Sequence, residues 1–146
     1  MKSRPPLNDT YMAQITVEIH WCEKNFACAY DYPGFGTVIA TDKSVEGLKK
    51  AFAESLKWHI ESAIEDNEFV PDFLLGDYSI DFKLSTSALL RSAERYTTMA
   101  AISRVTGINQ RLLSNYASNV KTPRQSQREK IIAGLHEIGR QFMTLC

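Results

Sequence analysis

The stretch from residue 99 to residue 116, MAAISRVTGINQRLLSNY, constrains the fold more than any other part of this chain. Apolar residues recur at helical spacing on both sides of Gly107: Ala100, Ile102 and Val105 before it, and Ile108, Leu112, Leu113 and Tyr116 after it. Glycine accepts the positive φ at which a helix stops and turns, and Asn109 is a good N-cap for a second helix. The spacing therefore predicts two short helices with a sharp turn between them.

The polar residues of the second predicted helix favour a contact with nucleic acid. Long or hydrogen-bonding side chains of these types reach base edges and phosphates. A helix-turn-helix presents its second helix to the major groove in this way, and the small Ser103 stands where the two helices would cross. An ordinary helical hairpin has the same outline and is the alternative. The candidate DNA-contacting residues are Asn109, Gln110, Arg111, Ser114 and Asn115.

A charge asymmetry divides the chain near residue 86. Residues 1–86 hold 8 Lys and Arg against 14 Asp and Glu, a net charge of −6, whereas residues 87–146 hold 9 against 3, a net charge of +6. The basic half suits a polyanion, and the acidic half suits a basic protein or serves only solubility. A polar basic loop after the second helix adds candidate phosphate contacts, with a solvated charged surface as the alternative. These residues are Lys121, Thr122 and Arg124.

Alternation of apolar and polar residues predicts strands in the first half of the chain. The alternating runs are residues 15–22, 26–30, 37–41 and 78–84, with a loop at residues 31–36 that bends at Pro33-Gly34. An apolar stripe at helical spacing follows the N-cap candidate Ser44 and predicts a helix to about residue 65. This half is therefore a predicted βββαβ unit, a small sheet with one helix across a face.

The hydrophobic period and the sign of the charge both change at residues 85–87, which predicts a domain boundary there. We expect a flexible tail at residues 1–12 without the apolar core of a signal peptide, a sheet domain at residues 13–86 and an all-α bundle at residues 87–146. The predicted fold class is α+β. No apolar run approaches the ~20 residues of a membrane span, so we expect no membrane partner.

Enzyme motifs and metal sites are not evident in the sequence. The three cysteines form no CxxC pair, which is typical of a reduced, cytoplasmic protein. His20, Cys22 and Cys28 lack a fourth zinc ligand at a usual spacing. A sheet nuclease would gather carboxylates around a metal, but no spacing forces Glu18, Asp31 and Asp66 together. We therefore expect no catalytic residue, no metal and no cofactor.

The chain resembles the HicB family of antitoxins, in the branch that carries a C-terminal helix-turn-helix. The matching segments are FACAYDYPGFGTVIATDKSVEGLKKAFAESLKWHIE at residues 26–61, residues 99–116 and the KTPR that follows. Family members often read Leu-Pro-Gly-Cys where this chain reads Tyr32-Pro33-Gly34-Phe35. The resemblance implies that the sheet domain is a truncated ribonuclease-H-like unit without a working active site.

The resemblance also implies a function. Proteins of this family bind and silence a small mRNA-cleaving toxin, HicA, and repress their own operon by binding promoter DNA. The expected partners are operator DNA with an inverted repeat, a HicA-like toxin and at least one further copy of the chain. The alternative is an orphan transcription regulator whose sheet domain only dimerises or senses a ligand. Guesses at toxin-facing positions, with core packing as the alternative for the first and last, are Tyr30, Asp31, Tyr32 and Phe35.

Overall fold

The structure, a computed structural model, describes residues 12–146. The predicted tail therefore lies outside the described residues, apart from Met12. The elements follow the predicted order of strands and helices, and the α+β class is confirmed. They are β1 (Ala13–Cys22), β2 (Asn25–Tyr32), β3 (Gly36–Asp42), α1 (Val45–Glu65), a 3-10 turn (Asp72–Leu74), β4 (Tyr78–Leu84), α2 (Thr86–Ala93), α3 (Met99–Thr106), α4 (Gln110–Ala117) and α5 (Gln125–Leu145).

The four strands form one mixed sheet in the order β3-β2-β1-β4. β1 and β2 pair in antiparallel fashion, as do β2 and β3, whereas β4 runs parallel to β1 with Ile15 opposite Ile80. The side chains of β1 alternate strictly, with Ile15, Val17 and Ile19 buried and the residues between them exposed. One face of the sheet is therefore packed and the other, which we call the open face, meets solvent.

Helix α1 covers the packed face of the sheet. Ser44 is its N-cap, because its Oγ accepts a hydrogen bond of 3.0 Å from the amide of Gly47. Leu48, Phe52 and Leu56 are fully buried along one stripe, at the spacing that the sequence predicts. We call residues 13–84 the sheet module.

The β2–β3 connection is shorter than the six-residue loop that the sequence predicts. β2 continues through Tyr32, because Asp31 pairs with Thr37 and Tyr32 pairs with Gly36. Only residues 33–35 remain for the turn, and Gly34 and Gly36 both have positive φ. Since β2 is extended here, neighbouring residues of the segment point to opposite faces.

Residues 86–145, which we call the helix module, have a second hydrophobic core. α5 packs on α3, and α2 packs on α4. Val105, predicted on the apolar face of α3, is instead 42% exposed and lies at the edge of the contact with Gly134 of α5. No helix within residues 12–146 is long and apolar enough to cross a membrane. The buried members of this core are Leu90, Met99, Ile102, Ile108, Leu113, Tyr116, Ala117 and Ile131.

The two modules follow each other without a linker. β4 ends at Leu84, and Ser85 caps α2 by accepting a hydrogen bond from the amide of Ala88. Ala88 packs in the core of the sheet module, whereas Leu90, two residues later, packs in the core of the helix module. The predicted boundary at residue 86 thus coincides with the start of α2, and this helix contributes to both cores.

Candidate nucleic-acid interface

The turn between α3 and α4 has the local geometry that the sequence predicts. Gly107 has a φ of 74°, and its amide donates to the carbonyl of Ser103 over 2.8 Å. The Oγ of Ser103 donates to the carbonyl of Ile108, so this small residue fastens the turn as well as allowing close approach. Thr106 makes a second hydrogen bond across the turn, since its Oγ1 accepts from the amide of Ile108 over 3.2 Å. The turn is therefore held by its own side chains.

Helix α4 separates buried from exposed residues as predicted. Asn109 is its N-cap, with its Oδ1 accepting from the amide of Arg111 over 2.8 Å. Leu113, Tyr116 and Ala117 are buried against the rest of the helix module. The predicted DNA-contacting side chains are accessible: Asn109, Gln110, Arg111 and Ser114 are exposed, and Asn115 is half-buried.

The loop after α4 lies beside these exposed residues. The carbonyl of Asn115 accepts from the amides of Val120 and Lys121, which folds the loop back on the end of the helix. Lys121, Thr122 and Arg124 are exposed. We call Asn109, Gln110, Arg111, Ser114, Asn115, Lys121, Thr122 and Arg124 together the α4 surface.

Two features make the α4 surface attractive to phosphate. Between Glu94 and Glu129 the sequence has no acidic residue and six basic ones. Helix α5 begins beside the loop at Gln125 without a side-chain cap, so its first amides are open to an anion. A cleft of about 630 Å³ lies between α4 and the start of α5. Its lining includes Leu112, Tyr116, Lys121, Thr122, Arg124, Ser126 and Gln127.

The four guessed toxin-facing residues do not share one surface. Tyr30 and Tyr32 are half-buried and pack against the core, and burial together with the neighbouring Tyr32 raises the pKa of Tyr30. Phe35 is only 6% exposed, with its ring edge-on to His59 and its carbonyl 2.7 Å from His59 Nε2. Phe35 therefore packs in the core, which is the alternative that the sequence left open for it. Asp31 alone lies exposed on the open face, where it accepts a hydrogen bond from Thr37.

Alternation along β2 explains why these four positions do not face one surface. The sequence places residues 31–36 in a loop, where side chains can point the same way, but the structure places Asp31 and Tyr32 in a strand. The open face instead brings together residues from separate strands. Cross-strand pairing puts Thr16 opposite Asp81 and Glu18 opposite Lys83.

The possible metal ligands are also divided between the two faces. His20 and Cys22 are exposed on the open face, whereas Cys28 is buried in the core. Burial raises the pKa of the Cys28 thiol to about 11, against the smaller lowering effect of a backbone hydrogen bond from Ala40. Within residues 12–146 no three His, Cys, Asp or Glu side chains are grouped so that they could hold a metal ion.

Sequence reasoning missed the residues that attach α4 to the sheet module. Arg91 donates from Nε to the carbonyl of Ala117 and from Nη2 to Ser118 Oγ, and its guanidinium lies 5.6 Å from the centre of the Trp21 ring. Asn119 donates from Nδ2 to the carbonyl of Trp21 over 2.7 Å. These contacts join the end of α4 to β1. A lone arginine in a short helix carries no motif, so only the three-dimensional arrangement reveals its role.

Arg128, at the start of α5, makes a second attachment. Its Nη2 donates to the carbonyl of Leu84 over 2.7 Å, and its Nη1 donates to Thr86 Oγ1 over 3.0 Å. Arg91 and Arg128 hold the two ends of the loop that follows α4. Their hydrogen bonds therefore fix the orientation of the α4 surface relative to the sheet module. We call Arg91, Asn119 and Arg128 the clamp.

Comparison of the chain with protein-family models, with curated proteins and with solved structures gave no match. Function is therefore inferred from the residues of this chain and their geometry. The strongest functional feature is the α4 surface, a basic and hydrogen-bonding strip on an exposed helix. The second is the open face of the sheet module, which carries exposed carboxylates.

Proposed function

We propose that this protein is a cytoplasmic, DNA-binding antitoxin of the HicB type. In this proposal α3 and α4 form a helix-turn-helix that represses the protein's own operon, and the sheet module, a truncated ribonuclease-H-like unit, neutralises an mRNA-cleaving HicA-type toxin. The observation that carries the proposal is the α4 surface, where exposed polar side chains follow a turn fixed by Gly107 and Asn109. We propose no catalytic activity for the chain itself.

The position of each residue on the α4 surface determines which part of the DNA it would contact. Gln110, Arg111 and Ser114 project from the exposed side of the helix and would read base edges in the major groove. Lys121 and Arg124 stand beside the helix and would contact phosphates, which fixes register without reading sequence. The uncapped start of α5 would add backbone amides to the same phosphates.

Repression of this kind uses two copies of the chain. Recognition helices of a dimer enter the groove about one turn, ~34 Å, apart on an inverted repeat. At the end of α5, Phe142, Met143 and Leu145 are more than half exposed, beside an apolar groove of about 290 Å³ formed by α2 and α5. In a dimer with twofold symmetry, these exposed apolar residues would be buried between the two copies. Phe142→Asp should therefore give a monomer in sedimentation analysis.

The toxin would bind the acidic sheet module. Opposite charge speeds the encounter between this half, with its net charge of −6, and a basic RNA-binding protein. The open face carries Glu18 on β1, Asp31 on β2 and Asp81 on β4, and Ile39 is 65% exposed on the edge strand β3. A sheet face that carries carboxylates and an exposed apolar side chain suits a basic protein surface.

A gel-shift series on the DNA upstream of the gene tests the DNA-binding part. Arg111→Ala should weaken specific binding by about 1–3 kcal/mol if it reads a base. Lys121→Ala should weaken specific and non-specific DNA about equally and flatten the salt dependence. Lys50→Ala, which removes an exposed cation from α1, is the matched control. Unchanged binding by both α4-surface variants would contradict the proposal.

Co-expression with the neighbouring gene tests the antitoxin part. A small basic protein with a catalytic histidine should co-purify with this chain, and Asp31→Arg on the open face should weaken the complex. The alternative, an orphan regulator whose sheet module only dimerises or senses a ligand, predicts normal DNA binding and no such partner. A cleft of small-molecule size between the two modules favours this alternative.

A further inference from the structure

A cleft of about 400 Å³ lies between the sheet module and the helix module, on the inner side of the loop that follows α4. One wall is formed by β1 and β4, and the other by the loop and the start of α5. The hydroxyls of Ser85, Thr86 and Ser87 line its floor at the start of α2. A volume of this size is within the range of small-molecule sites.

The charge of the cleft is unbalanced. Lys83, Lys121 and Arg128 line it, against a single carboxylate, that of Glu18. Glu18 lies opposite Lys83 in the pairing of β1 with β4, and its Oε1 is 3.8 Å from His20 Nε2. Within residues 12–146 none of the three basic side chains forms an ion pair with Asp or Glu. The cleft therefore gathers positive charge from three separate elements and balances it with one carboxylate only.

Arg128 shows how one of these charges is held in the cleft. Its guanidinium is half-buried and donates only to neutral oxygens, the Leu84 carbonyl and the Thr86 hydroxyl. Partly buried arginines are usually paired with a carboxylate or phosphate, because desolvating an unpaired charge is costly. Thr86 is itself 93% buried at the same point, with its hydroxyl engaged by Arg128. The charge is thus held in place before any ligand arrives.

We propose that this cleft binds the phosphate group of a small phosphorylated ligand. Lys83 on β4, Lys121 on the loop and Arg128 on α5 supply the positive charge and the hydrogen-bond donors. Phosphate fits better than a monocarboxylate, because three cations from three directions match a group with several charged oxygens. The remaining volume accommodates the uncharged part of the ligand.

The site also has a consequence for DNA binding, which rests on the function proposed above. Lys121 belongs both to the cleft and to the α4 surface. A ligand phosphate that engages Lys121 from the inner side withdraws it from DNA phosphates on the outer side. Bound ligand should therefore weaken DNA binding, and by thermodynamic reciprocity DNA should weaken ligand binding by the same factor.

Calorimetric titration of the full chain with pyrophosphate and with AMP tests the site. Both probes should bind, and Lys83→Gln should weaken the affinity about five- to tenfold, the usual scale for one charge-assisted contact. Lys83→Arg should restore most of the affinity, whereas Lys50→Gln, the same loss of charge on α1, should change nothing. Because Lys83 is exposed, these variants keep their fold, which circular dichroism checks.

Two results would overturn the proposal. One is the absence of saturable binding by both probes, or equal binding by wild type and Lys83→Gln. The other is a loss of affinity for short duplex DNA in Lys83→Gln without any probe present, which would assign the cleft to the DNA backbone instead of a small ligand. Neither result bears on the Arg111→Ala gel shift, so failure here is distinguishable from failure of the DNA-binding proposal.

Discussion

The sheet module and the helix module satisfy their backbone hydrogen bonds in different ways. In the sheet module, amides and carbonyls pair between strands, and one long helix covers the buried face. In the helix module, α2, α3 and α4 have eight residues each, too few to be stable alone in water. Side chains cap their first turns, namely those of Ser85, Thr98 and Asn109. The ends of the short helices therefore rely on hydrogen bonds from single side chains, whereas the sheet relies on backbone hydrogen bonds between its strands.

Because of this difference, surface residues of the helix module can take up a function without weakening its core. The outer face of α4 takes no part in the core, so its polar residues are free to serve recognition. The turn behind it, in contrast, allows little change, because its side chains are also its hydrogen-bond partners. We expect substitutions in the sheet core to have the largest effects, those at the helix crossing smaller ones and those in the clamp smaller again.

The largest expected effect is that of Phe52→Ala in the sheet core. Phe52 is fully buried beneath α1, so the cavity should lower the free energy of unfolding by about 3–5 kcal/mol. Ile131→Ala, at an equally buried position of the helix module, should cost about 2–5 kcal/mol. Urea unfolding measures both.

The same experiment shows whether the two modules unfold together. Both tryptophans, Trp21 and Trp58, lie in the sheet module, so their fluorescence reports on that part, whereas circular dichroism also follows the helix module. We expect coincident transitions in Phe52→Ala, because Ala88 and Leu90 of α2 pack in different cores. Fluorescence that changes at lower urea than the helical signal would mean that the modules are independent.

Gly134→Ala should have the next largest effect. A Cβ at this position of α5 would collide with Thr106 Cγ2, and Thr106 cannot easily rotate because its hydroxyl is bonded to Ile102 and Ile108. We expect a loss of about 1–3 kcal/mol, as for overpacking. Gly107→Ala meets no neighbour within 4 Å and should cost only the left-handed conformation, about 1 kcal/mol. Equal losses in thermal unfolding would contradict the steric explanation.

Arg91→Lys should have a smaller effect that concerns the connection between modules. Lysine keeps the charge but loses the planar fork that reaches Ala117 and Ser118 while covering Trp21. We expect a loss of about 1–2 kcal/mol and a shift in tryptophan fluorescence. Arg95→Lys, at an exposed position one turn later, is the matched control and should change neither. If Arg91→Lys lowers the free energy of unfolding no more than Arg95→Lys does, then Arg91 does not help to join the two modules.

Much of this architecture was predictable because it depends on local patterns. Period-two alternation located the strands, and helical spacing after Ser44 located α1. Gly107 and Asn109 located the turn between α3 and α4, because a positive φ and an N-cap each require particular residue types. Such signals lie within a few residues of one another, where the sequence can be interpreted directly.

The features that the sequence did not predict are contacts between residues far apart in the chain. Val105 has the right spacing for a buried residue, but α5 crosses α3 at Gly134 and leaves it exposed. Phe35 follows a glycine in a turn, yet its ring returns to the core against His59 of α1. The clamp joins residues up to 98 positions apart, as between Asn119 and Trp21, and no local pattern marks them.

The smallest expected effect compares the cysteines of the two modules. Cys28 is buried in the sheet core and its pKa is raised to about 11 from 9.0, whereas Cys146 at the end of the helix module is exposed. The thiolate is the nucleophile, and burial also blocks access, so iodoacetamide should modify Cys146 and the exposed Cys22 in the native protein. Cys28 should react only in urea, as peptide mass mapping would show.

The raised pKa of Cys28 also predicts how stability depends on pH. In the unfolded chain the thiol ionises near pH 9, but in the folded chain it stays protonated to about pH 11. The contribution of the protonated Cys28 thiol to the free energy of unfolding is therefore fully present below pH 9, and it is lost as the pH rises from 9 towards 11. Tyr30 and Tyr78, whose pKa values burial raises from 10.0, also make the folded state less stable as the pH rises above 10, so only the difference between variants is informative. Cys28→Ala should show a shallower decline of the urea midpoint between pH 9 and 11 than wild type, and Cys22→Ala should follow wild type. Parallel curves of urea midpoint against pH for all three proteins would mean that the sheet core admits the Cys28 thiolate. The sheet core would then not be closed to water, and the contrast with the helix module drawn above would fail.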